Sequence, residues 1–267
     1  MIVAFTGFRP GGPKGESKLN SRVIVITGGS SGIGKATAKL FAQDGEHVVI
    51  MNRNEKAGKE TVSEIEAEGG SVLFLKTDIG IESDVEASFA VTVEKFGRVD
   101  ILFANAAIQI NKPIGDLTKE EWDTMIAANL TGTFLCCKAS GEIMKKQKQG
   151  CIVICSSGHA FNSYPGYTGY AATKGGQVAF MRAAAIDLAP YGIRVNCLIP
   201  GATDSPLLRY HFSVHPEDEA RIVAKIPLAR LASPEDIAHG VRMLASSDAS
   251  YIAGTCLAVD GGLMAQG

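Results

Sequence analysis

The chain alternates, from about residue 21 to its end, between short runs of β-branched residues and longer stretches of helical character. The run Val-Ile-Val-Ile at 23–26 is apolar at every position, which is typical of a strand buried on both faces. Strands that alternate with helices form βαβ units, whose right-handed crossovers build a parallel sheet covered by helices on both faces. The sequence therefore predicts an α/β fold, a doubly wound domain of the Rossmann type.

Glycine and proline residues mark the boundaries of the predicted elements. The strands are predicted at 23–26, 48–50, 72–75, 99–104, 151–155, 193–199 and 255–259. The helices are predicted at 33–44, 55–68, 82–96, 118–147, 168–189, 205–223 and 234–246. Residues 1–20 contain Pro/Gly clusters without an apolar period, so they are predicted to be a flexible leader. Residues 21–267 are predicted to be a single domain that includes a substrate lid at about 203–227.

Composition narrows the classes of partner. The chain has 267 residues, of which 46% are apolar, which is ordinary for a globular protein with a sizeable core. The net charge of −2 gives no reason to expect nucleic acid or a membrane as a partner. The six cysteines show no Cys-x-x-Cys or metal-ligand spacing, so we expect reduced thiols, a cytoplasmic protein and no metal site.

The first predicted strand runs into the turn Thr-Gly-Gly-Ser-Ser-Gly-Ile-Gly at 27–34, and a helix follows. Glycines in such a turn let the backbone approach a pyrophosphate, and the helix N-terminus supplies free N–H groups. The spacing differs from the usual G-x-G-x-x-G fingerprint. The turn predicts a dinucleotide site, and a glycine-rich turn without a ligand remains the alternative.

The end of the second strand bears on the choice between NAD and NADP. An acidic residue there binds the ribose 2′-hydroxyl of NAD, whereas an arginine accommodates the 2′-phosphate of NADP. Asn52 and Arg53 occupy this place, which favours NADP. In the alternative, Arg53 is solvated and Asn52 bonds the ribose of NAD. The turn carries Ser31 rather than a basic residue before Gly32, which weakens the preference for NADP.

Tyr170 and Lys174 lie four residues apart in a predicted helix and therefore on one face of it. A free phenol has a pKa of about 10, and a nearby cation lowers the pKa by roughly 1–3 units. We expect Lys174 to bring the phenol toward the pH range in which acid–base catalysis is efficient. Taken alone, this spacing is also that of an ordinary half-exposed pair.

In combination, these motifs resemble those of the classical short-chain dehydrogenase/reductase family, over essentially everything from residue 21 onward. The glycine pattern of that family is Thr-Gly-x-x-x-Gly-x-Gly, as found at 27–34. Further matching segments are Asp78-Ile79, Ala104-Asn-Ala-Ala107, Asn129 in Ala-Ala-Asn-Leu-Thr-Gly, Ser157 thirteen residues before Tyr170, Pro200-Gly-Ala-Thr-Asp-Ser-Pro206 and Val259-Asp-Gly-Gly262. The chain departs from the family pattern at Ala104 and Ala107, which replace an Asn and a Gly, and at Ser205, which replaces a Thr.

The resemblance implies an NAD(P)-dependent oxidoreductase that moves a hydride between nicotinamide and a carbonyl or secondary alcohol. In that reaction Tyr170 transfers the proton, and Ser157 stabilises the charge on oxygen. Lys174 lowers the pKa of Tyr170 and holds the nicotinamide ribose, and Asn129 anchors a water. Ser156 is a competitor for the role of Ser157. The cofactor-binding set is predicted to be Gly28, Ser30, Ser31, Gly32, Ile33, Gly34, Asn52, Arg53, Asp78, Ile79, Asn105, Ala106, Tyr170, Lys174, Pro200, Gly201, Thr203 and Ser205.

The substrate is predicted only as a small carbonyl compound or alcohol. Apolar and aromatic side chains in two segments suggest that it is uncharged or cyclic. These side chains are Leu207, Leu208, Tyr210, His211, Phe212 and His215 in the lid, with Gln109, His159, Phe161 and Tyr167 elsewhere. By resemblance, the protein is a homotetramer built through the helices near 118–147 and 168–189.

Other classes of protein remain as alternatives. One is a catalytically idle dinucleotide-binding or interaction protein on the same fold. A sugar-nucleotide epimerase fits less well, because it needs a longer C-terminal region and a different glycine spacing. A methyltransferase on a similar sheet has no need of a Tyr/Lys pair.

Overall fold

A computed structural model describes residues 21–266, so the leader predicted at 1–20 lies outside the described residues. Seven strands form one sheet in the order β3-β2-β1-β4-β5-β6-β7, and every neighbouring pair is parallel. The strands are β1 (Val23–Thr27), β2 (His47–Asn52), β3 (Ser71–Lys76), β4 (Ile101–Ala104), β5 (Gly150–Cys155), β6 (Ile193–Pro200) and β7 (Cys256–Val259). The predicted α/β architecture with a parallel sheet is confirmed.

Nine α-helices occur within residues 21–266. They are α1 (Gly32–Gln43), α2 (Glu55–Ala67), α3 (Glu82–Phe96), α4 (Lys119–Met125), α5 (Gly132–Gln147), α6 (Thr168–Leu188), α7 (Pro206–Val214), α8 (Glu217–Val223) and α9 (Pro234–Ala245). Two core layers result, one on each face of the sheet. Helices α1, α2 and α9 cover one face, and α3, α5 and α6 cover the other.

Two predicted helical regions are interrupted in the structure. The region predicted at 118–147 contains a π-helical segment, Ile126–Thr131, between α4 and α5. The region predicted at 205–223 is two helices, α7 and α8, with His215 and Pro216 between them. Pro216 lacks a backbone N–H and therefore cannot continue the hydrogen-bond ladder of α7.

Side-chain caps fix the beginnings of several helices. Thr118 and Ser233 form capping boxes, in which the cap hydroxyl and an acidic residue in the first turn exchange hydrogen bonds with backbone N–H groups. Ser205 caps α7 by accepting a hydrogen bond from Leu208 N at 3.4 Å. Ser205 thereby fixes the start of α7, which lies inside the segment predicted to be the lid.

The order of the strands determines where a ligand can bind. The chain runs from β1 through β2 to β3 on one side and then crosses back, so that β4 lies on the other side of β1. A crevice opens at such a switch point, beyond the carboxyl ends of the strands. Within residues 21–266 no helix is long and apolar enough to cross a membrane. The same part of the chain contains no group of three or more His, Cys, Asp or Glu that could hold a metal ion.

Candidate active site

A cleft of about 860 Å³ occupies this crevice. Its walls come from the turn between β1 and α1, from the carboxyl ends of β2, β4, β5 and β6, and from α6, α7 and α8. The predicted residues that line it are Gly28, Ser31, Gly32, Ile33, Asn52, Arg53, Asp78, Ile79, Asn105, Ala106, Ser157, Tyr170, Lys174, Pro200, Gly201, Thr203 and Ser205. Residues distant in sequence therefore share one cavity, as the motif order predicts.

The glycine turn is packed too closely to accept side chains. Gly28 has a φ of +69°, and a Cβ on Gly34 would lie 2.3 Å from the carbonyl oxygen of Gly28. The Thr27 hydroxyl ties the turn to the end of β4 by accepting hydrogen bonds from Asn105 N at 2.9 Å and Ala106 N at 3.0 Å. Gly34 does not line the cleft, and its role in the structure is to let α1 approach the turn.

The N-terminus of α1 offers hydrogen-bond donors to an anion. Ser31 precedes α1 in an extended conformation, and its side chain makes no capping hydrogen bond. The first N–H groups of a helix have no partner inside the helix and carry partial positive charge. These donors and the glycine backbone fit a dinucleotide pyrophosphate.

Arg53 lies where a ribose substituent would be recognised. Its guanidinium is 3.5 Å from a carboxylate oxygen of Asp78, and its side chain is 60% exposed. The Asn52 amide donates to the hydroxyl of Ser30, which is buried and does not line the cleft. Of the two strand-end residues, Arg53 is therefore the one that remains open to a new partner.

Tyr170 and Lys174 both face the cleft from α6. The Lys174 ammonium lies 5.4 Å from the centroid of the Tyr170 ring, and it donates a hydrogen bond of 2.7 Å to the carbonyl of Cys155. Ser157 follows β5 and lines the same cleft, and its hydroxyl accepts a hydrogen bond of 3.2 Å from His159 N. The Ser156 hydroxyl instead donates to the carbonyl of Lys174 at 3.0 Å, so it is already engaged.

The predicted lowering of the Tyr170 pKa by Lys174 is wrong in this arrangement. Burial raises the pKa of Tyr170 above its ordinary value, and the nearby Ser157 hydroxyl opposes that shift only in part. Burial also lowers the pKa of Lys174, whose ammonium is directed at the Cys155 carbonyl. Tyr170 consequently keeps its proton at neutral pH.

Asn129 is fully buried in the π-helical segment and does not line the cleft. Its side chain accepts a hydrogen bond from Ile108 N and donates to Ile108 O, both at 2.8 Å. The same amide donates to Thr173 on α6 at 3.1 Å. Its backbone carbonyl accepts from Thr133 and Gln177. Asn129 therefore ties the segment after β4 to α6.

Aromatic rings form the substrate side of the cleft. The His159 ring stacks on Tyr167 with centroids 4.1 Å apart, and it meets the edges of Tyr164 and Tyr170 at 5.7 and 5.8 Å. Burial lowers the pKa of His159 to about 4, so the ring is neutral at physiological pH. His159 therefore adds no charge next to Tyr170, whereas the Lys225 ammonium lies 5.0 Å from the centroid of the Tyr164 ring.

The substrate-side residues named from sequence divide into two groups. Gln109, His159, Tyr167, Leu207, Leu208 and His211 line the cleft. Phe161, Tyr210, Phe212 and His215 do not; Tyr210 is exposed and Phe212 is buried. Sequence reasoning missed Ile108, Tyr164, Lys225 and Met264, which also line it. Met264 follows the Val-Asp-Gly-Gly motif, and Asp260 holds it by accepting from Met264 N at 2.8 Å.

A Rossmann-type sheet with a glycine turn and a Tyr/Lys pair in one cleft defines a dinucleotide-dependent oxidoreductase. The family model described as Enoyl-(Acyl carrier protein) reductase matches residues 28–264. The chain belongs to the short-chain dehydrogenase/reductase family.

Named relatives are similar over nearly the whole chain. A 3beta-hydroxysteroid dehydrogenase 1 of Eggerthella lenta is 37% identical, and the match covers 92% of this chain and 94% of the relative. A cyclopentanol dehydrogenase of Comamonas testosteroni is 35% identical, with 93% and 99% covered.

Solved structures of similar proteins have the same fold. A levodione reductase superposes with a TM-score of 0.88 at 33% identity, covering 92% of this chain and 98% of the other. ElxO with NADP bound superposes with a TM-score of 0.86 at 30% identity, covering 92% and 100%. The chain is thus an oxidoreductase that uses NAD or NADP, and the catalytically idle alternative is not favoured.

Proposed function

We propose that the protein reduces an uncharged cyclic ketone to a secondary alcohol, reversibly, with Tyr170 as the proton donor. The observation that carries this proposal is the Tyr170 phenol. It faces the same cleft as the Ser157 hydroxyl, and its ring centroid lies 5.4 Å from the Lys174 ammonium. Residues 21–267 form one domain in this proposal, with a lid at 203–227 that consists largely of α7 and α8.

The proton chemistry follows from the raised pKa of Tyr170. Reduction of a carbonyl develops negative charge on its oxygen, and a phenol that has kept its proton can deliver it there. The Ser157 hydroxyl donates to the same oxygen and stabilises the charge as it develops. In the oxidative direction Tyr170 takes the proton back from the alcohol.

Lys174 and Asn129 support this centre in different ways. The Lys174 ammonium provides a fixed donor and positive charge on the cofactor side of Tyr170. We assign Asn129 a positioning role, because all of its side-chain hydrogen-bonding atoms are used within the protein. The water-anchoring role implied by the family resemblance remains a prediction.

The nicotinamide cofactor supplies or accepts the hydride. The glycine turn and the start of α1 bind its pyrophosphate, and the backbone from Pro200 to Thr203 lines the nicotinamide side of the cleft. Arg53 suits a 2′-phosphate, so we propose a preference for NADP.

The substrate class is argued from the chemistry of the cleft wall. Stacked His159 and Tyr167 offer a flat surface, and the neutral imidazole gives no counter-ion to an acid. Leu207 and Leu208 from the lid add apolar surface. Two of the relatives carry names of dehydrogenases for ring alcohols, a hydroxysteroid and cyclopentanol.

We also propose a homotetramer in the cytoplasm. Phe134 on α5 and Ile186 on α6 are 45% and 75% exposed, and Phe134 meets Phe180 edge to face. Such apolar exposure on two neighbouring helices suits an interface between copies. Sedimentation of the wild type and of Ile186→Glu tests the assembly, and a wild-type monomer contradicts it.

The six free thiols suit a reducing compartment such as the cytoplasm.

The experiment that tests the activity is a substrate panel read at the nicotinamide absorbance with NADPH and NADH. The panel contains cyclic ketones, acyclic 2-keto acids and a 3-oxoacyl thioester. We expect cyclic ketones to give the highest kcat/KM and Tyr170→Phe to lose about 10²–10⁴-fold. Tyr251→Phe removes a hydroxyl from a fully exposed ring and is the matched control. Full turnover by Tyr170→Phe contradicts the role of Tyr170, and a preference for the keto acid or thioester contradicts the substrate class.

A further inference from the structure

Two cysteines face each other across neighbouring strands at one edge of the sheet. Cys197 on β6 is the register partner of Cys256, the first residue of the edge strand β7. Cys197 N donates to the carbonyl of Thr255 at 2.9 Å, which fixes this register. Neighbouring strands lie about 4.8 Å apart. The Cα atoms of a disulfide are usually 4.4–6.8 Å apart, so the backbone spacing suits a bridge.

Cys256 differs from the other five cysteines in its surroundings. The other five are buried, whereas Cys256 is partly exposed. The neighbouring Cys197 thiol lowers the pKa of the Cys256 thiol, and the charge of Arg182 on α6 acts in the same direction. By contrast, burial raises the pKa of Cys136 to about 12. Cys256 is therefore the thiol that an oxidant can reach and that ionises most easily.

We propose that Cys197 and Cys256 form a reversible oxidation site that reacts with hydroperoxides. The Cys256 thiolate attacks one peroxide oxygen, the O–O bond breaks, and the other oxygen leaves as an alcohol or water after taking a proton. Cys256 is then a sulfenic acid. The sulfur of Cys197 displaces the hydroxyl group from Cys256, so that an S–S bond forms and water leaves. Overall, two thiols are oxidised to one disulfide, and one hydroperoxide is reduced to an alcohol and water.

The position of Cys197 links this site to the catalytic helix. Its thiol points at the carbonyl of Gln177, 3.9 Å away on α6, one turn beyond Lys174. The Gln177 amide in turn donates to the carbonyl of Asn129 and to the hydroxyl of Thr133, both at 2.8 Å. Formation of the disulfide removes the thiol hydrogen that Cys197 directs at the Gln177 carbonyl. The oxidised protein is expected to turn over more slowly, an expectation that rests on the proposed function of the cleft.

The test uses the full chain treated with hydrogen peroxide, blocked with iodoacetamide in denaturant and analysed by intact and peptide mass spectrometry. The wild type is expected to lose two thiols and to yield one peptide pair joined through Cys197 and Cys256. Cys256→Ser is expected to keep all of its remaining thiols. Cys197→Ser is expected to accumulate a sulfenic acid at Cys256 that dimedone traps. Cys151→Ala, which removes a buried thiol on β5, is the control and is expected to behave like the wild type.

Retention of six free thiols by the wild type, or a disulfide between another pair, overturns the proposal. Turnover of the oxidised wild type is expected to fall severalfold and to return with dithiothreitol, and unchanged turnover overturns the link to the catalytic helix. The Tyr170→Phe variant is expected to form the same disulfide. Its thiol count therefore tests the oxidation site even if the proposed role of Tyr170 is wrong.

Discussion

The ammonium of Lys174 donates a hydrogen bond of 2.7 Å to the backbone carbonyl of Cys155, the last residue of β5. The side chain is only 1% exposed, so the bond holds a charge that burial disfavours. A buried charge costs free energy that one neutral acceptor does not fully return. Lys174 is therefore a residue at which stability and activity are expected to oppose each other.

Replacing Lys174 with Met should separate these two properties. We expect Lys174→Met to lose at least about 10²-fold in kcat/KM. Its free energy of unfolding should be unchanged or higher by up to about 2 kcal/mol, because the buried charge is removed. Chemical denaturation and steady-state kinetics measure the two effects. Lys138→Met, at an exposed ion pair with Glu82, should change neither quantity appreciably. A strongly destabilised Lys174→Met contradicts the argument.

The same lysine should leave a signature in the pH dependence of stability. Its pKa is lowered in the folded chain, so the unfolded chain binds more protons between that pKa and 10.5. The free energy of unfolding contributed by this residue therefore rises as the pH rises through that window. The free energies of unfolding of the wild type and of Lys174→Met, measured by denaturation, should diverge as the pH changes on the alkaline side. Parallel pH profiles contradict the lowered pKa of Lys174.

His159 should act in the acid range. Its pKa is about 4 in the folded chain and 6.5 in the unfolded chain, so stability that is present above pH 6.5 is lost as the pH falls toward 4. Because the ring is partly exposed, we expect a loss of about 1–2 kcal/mol. His159→Phe keeps the stacking on Tyr167 and should reduce the slope of unfolding free energy against pH in this range. His239→Gln, on the exposed side of α9, should leave that slope unchanged. Equal slopes in all three proteins contradict the prediction.

Two Gly→Ala changes, one in the glycine turn and one in α5, are expected to have opposite effects on stability. A Cβ on Gly34 would meet the Gly28 carbonyl at 2.3 Å, so Gly34→Ala should destabilise the fold by about 1–3 kcal/mol and weaken cofactor binding. At Gly141 in α5 the nearest atom is a Leu188 methyl at 3.6 Å. Gly141→Ala should therefore stabilise the protein by about 0.5–1 kcal/mol. Unfolding free energies and cofactor titrations measure both, and equal effects contradict this reading of the turn.

Arg53 should determine the choice of cofactor. Arg53→Asp removes a guanidinium that suits a 2′-phosphate. The variant should bind NADPH about 10–100-fold more weakly, because a hydrogen bond to a charged group contributes about 1.5–3 kcal/mol. Affinity for NADH should hold or improve, because the aspartate can bind the ribose hydroxyl. Lys56→Asp makes the same charge change three residues away, outside the cleft, and should not alter the preference. If the wild type already prefers NADH, the preference for NADP is wrong.

The parts of this molecule that depend on local pattern could be predicted from the sequence. The apolar run of β1, the glycine turn and the spacing of Tyr170 and Lys174 all act over a few residues. The structure brings the turn and the Tyr170/Lys174 pair to one crevice. The π-helical segment could not be predicted, because its partner contacts lie outside the local sequence. Asn129 bonds Ile108, which is 21 residues away in the chain, and Thr173, which is 44 residues away.

The direction of the Tyr170 pKa shift could not be predicted for a related reason. Spacing on a helix places Lys174 near the phenol, but desolvation depends on what the folded chain packs around both groups. The carbonyl of Cys155, at the end of another element, takes the ammonium's hydrogen bond. Met264 likewise enters the cleft only because Asp260 anchors the turn after β7.

The two hydrogen bonds between Asn129 and Ile108 have a mechanical consequence. One side-chain amide pairs with both the N–H and the C=O of a single residue, as the backbone of an adjacent strand would. Ile108 lines the cleft, and the same amide also bonds Thr173, next to Lys174 on α6. A shift of the wall at Ile108 therefore pulls on the helix that carries the proton donor. A substitution at Ile108 that widens the cleft is therefore expected to change the rate of proton transfer as well as the fit of the substrate.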